Sequence, residues 1–156
     1  MYSHKPQGYQ CPFCQIVSGV FSREDVIYAD ERVTALLSLH GLPNNPGHVI
    51  VIPNRHIENI YDLTPDIAIY VYELARQVAI AFKEVYGCAG TSTRQHNEPA
   101  GNQDVWHFHL HVFPRYYDDQ LYDLTSQWRL ISPEERRPYA EQLKRYFDGK
   151  RIEITL

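Results

Sequence analysis

The stretch WHFHLHVF, Trp106 to Phe113, sets three histidines (His107, His109 and His111) at alternate positions. On a β-strand alternate residues share a face, so three imidazoles would stand in a row, roughly 7 Å apart at a rise of about 3.4 Å per residue. Trp106, Phe108, Leu110 and Val112 would share the opposite face, cover a core helix and hold the row rigidly. Crowding three imidazoles has a desolvation cost that a purely structural strand gains nothing by bearing. Two chemistries suit the pattern. His-x-His can chelate a catalytic zinc that takes a third ligand elsewhere and keeps a position open for water. Alternatively, one histidine is a nucleophile whose neighbours set its tautomer and bind phosphate.

A second cluster of reactive residues lies near the start, at Cys11-Pro12-Phe13-Cys14. Three cysteines in all, with Cys88 as the third, are an odd count that does not suggest a disulfide framework. The CxxC pair reads as half of a metal site or as a redox pair, and Cys88 as a small buried residue.

These residues need a scaffold, and the pattern predicts an α+β chain with an antiparallel sheet. Phe13 to Val17 reads as a short helical turn, and Val26–Ala29 and Arg32–Leu39 as two strands joined at Asp30-Glu31. The run ALLSL in the second strand implies burial. His48 to Ile52 is a β-branched strand bounded by Pro46-Gly47 and Pro53-Asn54. Thr64, Pro65 and Asp66 open a long helix, apolar residues recur from Ile67 to Val85 at helical spacing, and Gly87 ends it. Gly90 to His96 and Val105 to Phe113 are further strands. A last helix spans about Pro133 to Phe147, opened by Ser132 with Glu135 three residues on, a capping box.

Composition narrows the function. The chain has 156 residues, 44% hydrophobic and 22% charged, which fits one globular domain. A net charge of −4 argues against a general nucleic-acid binder. The first residues lack the apolar core of a signal peptide and no apolar run reaches membrane-spanning length, so a cytoplasmic protein without a membrane partner is expected.

The blocks CPFC, PGHVIVIPNRH and NEPAGNQDVWHFHLHVFPR, in this order and spacing, closely resemble the histidine-triad (HIT) superfamily of nucleotide hydrolases and transferases. The likeness runs from about Cys11 to Arg115, and the alternating triad is its most specific part. It implies a HIT-like fold with an antiparallel sheet of about five strands, one long helix and a C-terminal helical tail. One domain would cover residues 1–156, with its core at about 11–115 and an extension over 116–156.

The same resemblance implies the chemistry. His109, the middle histidine, would attack the α-phosphorus of a nucleotide derivative, and water would then release the monophosphate. His111 would contact phosphate, and His48 would lie beside the triad. Ser38, Asn97 and Gln103 would join His111 in binding substrate, a small nucleotide rather than a polymer. In zinc-bearing relatives a CxxC joins a downstream histidine and the first triad histidine, here Cys11, Cys14, His56 and His107. Two thiolates and two imidazoles form a closed shell, which is a structural zinc site. Relatives are homodimers, so a homodimer is expected.

Three positions depart from the family pattern. Ser38 stands where an Asp or Asn often holds the ribose, and His96 where an amide is common. Asp104 replaces a Ser or Thr, and a carboxylate beside phosphate is unfavourable unless it points away or is protonated. Two rivals stand beside the nucleophile reading: a catalytic-zinc hydrolase in which His107 and His109 chelate together, and a nucleotide-binding scaffold with little turnover.

Overall fold

A computed structural model describes residues 2–154. A short helix α1 (Pro12–Val17) precedes the strands β1 (Val26–Ala29), β2 (Val33–Leu37), β3 (His40–Gly41) and β4 (Val49–Pro53). Helix α2 (Pro65–Ala81) follows, then β5 (Gly90–Gln95), β6 (Leu110–Arg115), β7 (Arg129–Leu130) and helix α3 (Pro133–Phe147). Among the described residues, five strands form an antiparallel sheet in the order β1-β2-β4-β6-β5, and β3 pairs with β7 as a separate ribbon. The α+β architecture expected from the sequence is the one observed.

The central strands explain the continuous apolar runs. Every residue of β2 and β4 is buried, because both faces of the sheet are covered. Val33, Ala35, Leu37, Val49, Val51, Leu110 and Val112 pack on one face against Val71, Leu74 and Val78 of α2. Leu36, Ile50 and Ile52 point to the other face, against Phe13 and Ile16 of α1. His111 pairs with Ile50 across β4 and β6, so it stands on the α1 side.

Helix α2 starts at Pro65, but the Thr64 side chain does not cap it. That hydroxyl bonds the Asp66 carboxylate instead, which lowers the pKa of Asp66. After Ala81 the helix widens into a π-turn (Phe82–Tyr86) and stops at Gly87, whose φ of 63° suits glycine. The capping box of α3 is complete: Ser132 Oγ accepts from the Glu135 N–H, and Glu135 accepts from the Ser132 N–H. Ala140, Leu143 and Phe147 of α3 join the α2-side core.

The histidine strand is shorter than its pattern predicts. Its ladder begins at Leu110, so His107 and His109 lie on irregular backbone before β6. Extending the register in which Leu110 faces Val51 would set Pro53 opposite Phe108. Proline has no N–H to donate, and the Phe108 N–H goes to the Ile57 carbonyl at 2.6 Å instead. Phe108, Leu110 and Val112 do cover α2, but Trp106 does not. Trp106 is half-buried and lies near the His4 ring, at 5.9 Å between centroids.

Candidate active site and metal cluster

The segment leading into β6 delivers the triad histidines to two neighbouring centres. His107 is fully buried, and its Nε2 donates to the carbonyl of Pro53 at 2.9 Å. A carbonyl only accepts, so Nδ1 carries the lone pair. That nitrogen lies 3.3 Å from Cys11 Sγ and 3.6 Å from Cys14 Sγ, while His56 Nδ1 is 3.3 Å from Cys14 Sγ. The donor atoms of Cys11, Cys14, His56 and His107 all lie within 4.8 Å of one another.

The spacing tests the fit to a metal. Zn–S bonds of about 2.3 Å and Zn–N bonds of about 2.05 Å at the tetrahedral angle put sulfur and nitrogen about 3.6 Å apart. The observed separations are within a few tenths of an ångström of that value, so the cluster can hold zinc. Without a cation, burial and the neighbouring Cys11 sulfur push the Cys14 thiol up to about 11. A dication at this cluster would offset that penalty on the Cys14 thiolate. Helix α1 makes the pairing, because Cys11 is its N-cap and its sulfur accepts from the Cys14 N–H at 3.5 Å.

His109 faces the second centre. Its Nδ1 donates to the His107 carbonyl at 2.7 Å, leaving Nε2 as the free nitrogen. Its ring lies 5.0 Å from that of His111 and edge-on to Phe13 at 5.5 Å. His111 Nδ1 meets His48 Nε2 at 3.0 Å, one ring donating to the other. His48 stacks on Phe113 at 4.4 Å and is also near Trp128, at 5.4 Å. Burial holds all four imidazoles neutral: it depresses His48 to about 3 and His107 to about 4, and lowers His109 and His111 as well.

Ser38, Gln103 and Asn97, expected to contact substrate, are engaged within the protein. Ser38 is buried, its hydroxyl accepts from the His40 N–H at 3.3 Å, and it lines a cavity of about 510 Å³ with His48, Asn45 and Arg129. Gln103 spends its whole amide on backbone: its Oε1 accepts from the Glu98 N–H, and its Nε2 donates to the Glu58 and Val105 carbonyls. Asn97 is likewise engaged, with Gln95 and the Ile60 N–H. Both amides brace the loop before the triad. Asp104 does not point away: its Oδ1 is 3.8 Å from His109 Nε2.

Two residues at the site escaped the reading of the sequence. Arg94 pairs with His111 across β5 and β6, lies over the Phe113 ring at 5.2 Å, and its charge disfavours protonation of His48 and His111. Alternation along β5 was its only signal. Trp128 comes from the segment after β6, which returns to the site when Ile131 donates to the Leu39 carbonyl at 2.8 Å. No local pattern announces that return.

The comparisons with known proteins agree with this geometry. The family model for the HIT domain matches residues 22–118. "Protein hit" of Bacillus subtilis is 35% identical over 106 residues, covering 68% of this chain and 71% of that protein. The adenosine 5'-monophosphoramidase hnt1 of Schizosaccharomyces pombe is 28% identical, over 85% of this chain and 95% of its own. Among solved structures, a zinc-bound histidine triad family protein from Mycobacterium smegmatis superposes with a TM-score of 0.75. It is 28% identical and covers 89% of this chain and 94% of its own. With its triad, its sheet order and this match over most of the sheet, the chain belongs to the HIT family.

Proposed function

We propose that the protein is a nucleotide hydrolase or nucleotidyl transferase that works through a covalent nucleotidyl-His109 intermediate. The observation that carries this reading is the tautomer of His109. With Nδ1–H given to the His107 carbonyl, Nε2 keeps its lone pair, and burial keeps the ring neutral. A neutral imidazole of fixed orientation is an effective nucleophile at neutral pH.

In the first half-reaction Nε2 bonds to the α-phosphorus and the leaving group departs. In the second, water attacks phosphorus, the P–N bond breaks with its electron pair returning to Nε2, and the monophosphate is released. His111, linked to His48, is the phosphate contact, and Arg94 behind them supplies positive charge for the phosphoryl oxygens. Ser38 faces the sugar from its cavity. Gln103 and Asn97 serve by fixing the loop before the triad.

Cys11, Cys14, His56 and His107 would hold one zinc, which when bound closes the fold as a structural ion. The rival in which His107 and His109 chelate a catalytic zinc has less support, because the ligating nitrogen of His107 faces the two thiols. The reading also takes the chain as one HIT domain with a C-terminal extension, forming a cytoplasmic homodimer.

A labelled nucleotide substrate quenched in alkaline denaturant tests the proposal, because a phosphoramidate survives alkali and is lost in acid. A label on His109 supports it. Metal-dependent turnover without adduct favours the zinc rival, and binding without turnover favours a scaffold.

A further inference from the structure

The carboxylate of Asp104 is the charged group nearest to the proposed nucleophile. Its Oδ1 stands 3.8 Å from His109 Nε2, with its side chain 82% exposed on the solvent side. That position is built. Gln103, the preceding residue, is held by three side-chain hydrogen bonds and a further one from its N–H to the Glu98 carbonyl. The turn between them takes Glu98 and Asn102 into the left-handed region, at φ of 62° and 66°, which only a braced loop sustains. His96 adds a bond to the Gly101 carbonyl at 2.5 Å.

The site therefore has two electrically different ends. Arg94 lies on the His111 side and favours the anionic phosphoryl oxygens. Asp104 stands beside His109 Nε2 with its carboxylate exposed, so a leaving group that departs toward solvent passes close to it. A leaving atom there is within about one Debye length of the carboxylate, so its charge is felt despite the exposure. A polyphosphate leaving group brings several negative charges to that carboxylate. An amine leaving group brings none, and gains a positive one as it departs.

We propose that Asp104 is a specificity-determining residue that directs the site toward phosphoramidate-type substrates, whose leaving group is an amine, and against polyphosphate leaving groups. This rests on the nucleophilic role proposed for His109. In the step concerned, the bond from Nε2 to phosphorus forms as the substrate P–N bond breaks. The electron pair leaves on the amine nitrogen, which takes two protons from solvent, one to become the free amine and one to become the ammonium ion that departs facing the Asp104 carboxylate.

The test compares kcat/KM for an N-alkyl adenosine 5'-phosphoramidate and for diadenosine tetraphosphate, in wild type, Asp104→Ser and Asp104→Asn. The expected result is a preference for the phosphoramidate that falls at least tenfold in both variants, chiefly through faster polyphosphate turnover. A ratio unchanged within twofold, or one that rises, overturns the proposal, as does wild-type turnover of neither substrate. Trapping of the His109 adduct in the same samples is scored separately. Loss of the adduct with the ratio still shifting defeats the covalent reading while the specificity role of Asp104 stands.

Discussion

His107 donates its Nε2 proton to the carbonyl of Pro53, the last residue of β4, at 2.9 Å. One bond thus turns the ring so that Nδ1 meets the thiols of Cys11 and Cys14, and ties the metal cluster to the central sheet. Zinc should accordingly behave as part of the fold. We expect one zinc per chain by elemental analysis. Cys14→Ser should lower Tm more than it lowers kcat per folded molecule, because a closed shell contributes folding free energy. Protein that is fully stable yet inactive after chelation would point to a catalytic ion instead.

His109→Ala should remove the nucleophile and leave the fold intact. Phe108 and Leu110 on either side keep their places against α2. Turnover should fall by several orders of magnitude and the covalent adduct should vanish. Wild-type kcat in this variant would refute the assignment.

His48 should make stability sensitive to acid. The unfolded chain takes up its proton near 6.5, whereas the folded chain, with the ring buried and Arg94, His109 and His111 around it, does so only near 3. Between those values the unfolded state binds more protons, so stability falls as pH falls, by up to about 1.4 kcal/mol per pH unit. Urea midpoints measured from pH 7 to pH 4 should drop more steeply in wild type than in His48→Gln. Parallel profiles would show that His48 is not the group responsible.

Asp119 anchors the turn after β6. Its buried carboxylate accepts from the Arg115 guanidinium at 2.7 and 2.8 Å, from Asn45, and from the Tyr116 and Leu121 N–H groups, which hold it well below the usual carboxylate range. Asp119→Ala leaves these donors unmatched and should cost about 3 kcal/mol in denaturant unfolding. A loss under about 0.5 kcal/mol would mean that water replaces the carboxylate freely.

Ser38→Asp should lower KM for ribonucleotide substrates by about tenfold, from a hydrogen bond worth about 1.5–3 kcal/mol. The 2',3'-dideoxy counterparts should barely change. Equal effects on both would show that the cavity beside Ser38 does not receive the sugar.

Much of this was legible in the chain because it is written in local periodicity. The buried run of β2, the amphipathic repeat of α2 and the capping box of α3 each follow from residues within a few positions of one another. The CPFC and HFHLH motifs carried the resemblance that implied the metal donors and the proposed nucleophile, whereas their spacing alone left a zinc chelate and a nucleophile both open. Tertiary structure decided what depends on residues far apart. Pro53, which lacks an N–H, ends the pairing of β4 with β6, so the histidine strand stops short of His109 and frees the His107 carbonyl to set its tautomer. The Ile131-to-Leu39 bond carries Trp128 back to His48, and a braced loop holds the exposed Asp104 carboxylate beside His109 Nε2. Pro53 and His107, and Trp128 and His48, stand far apart in sequence and meet only when the sheet closes, whereas Asp104 and His109 are close in sequence and meet through the brace on Gln103.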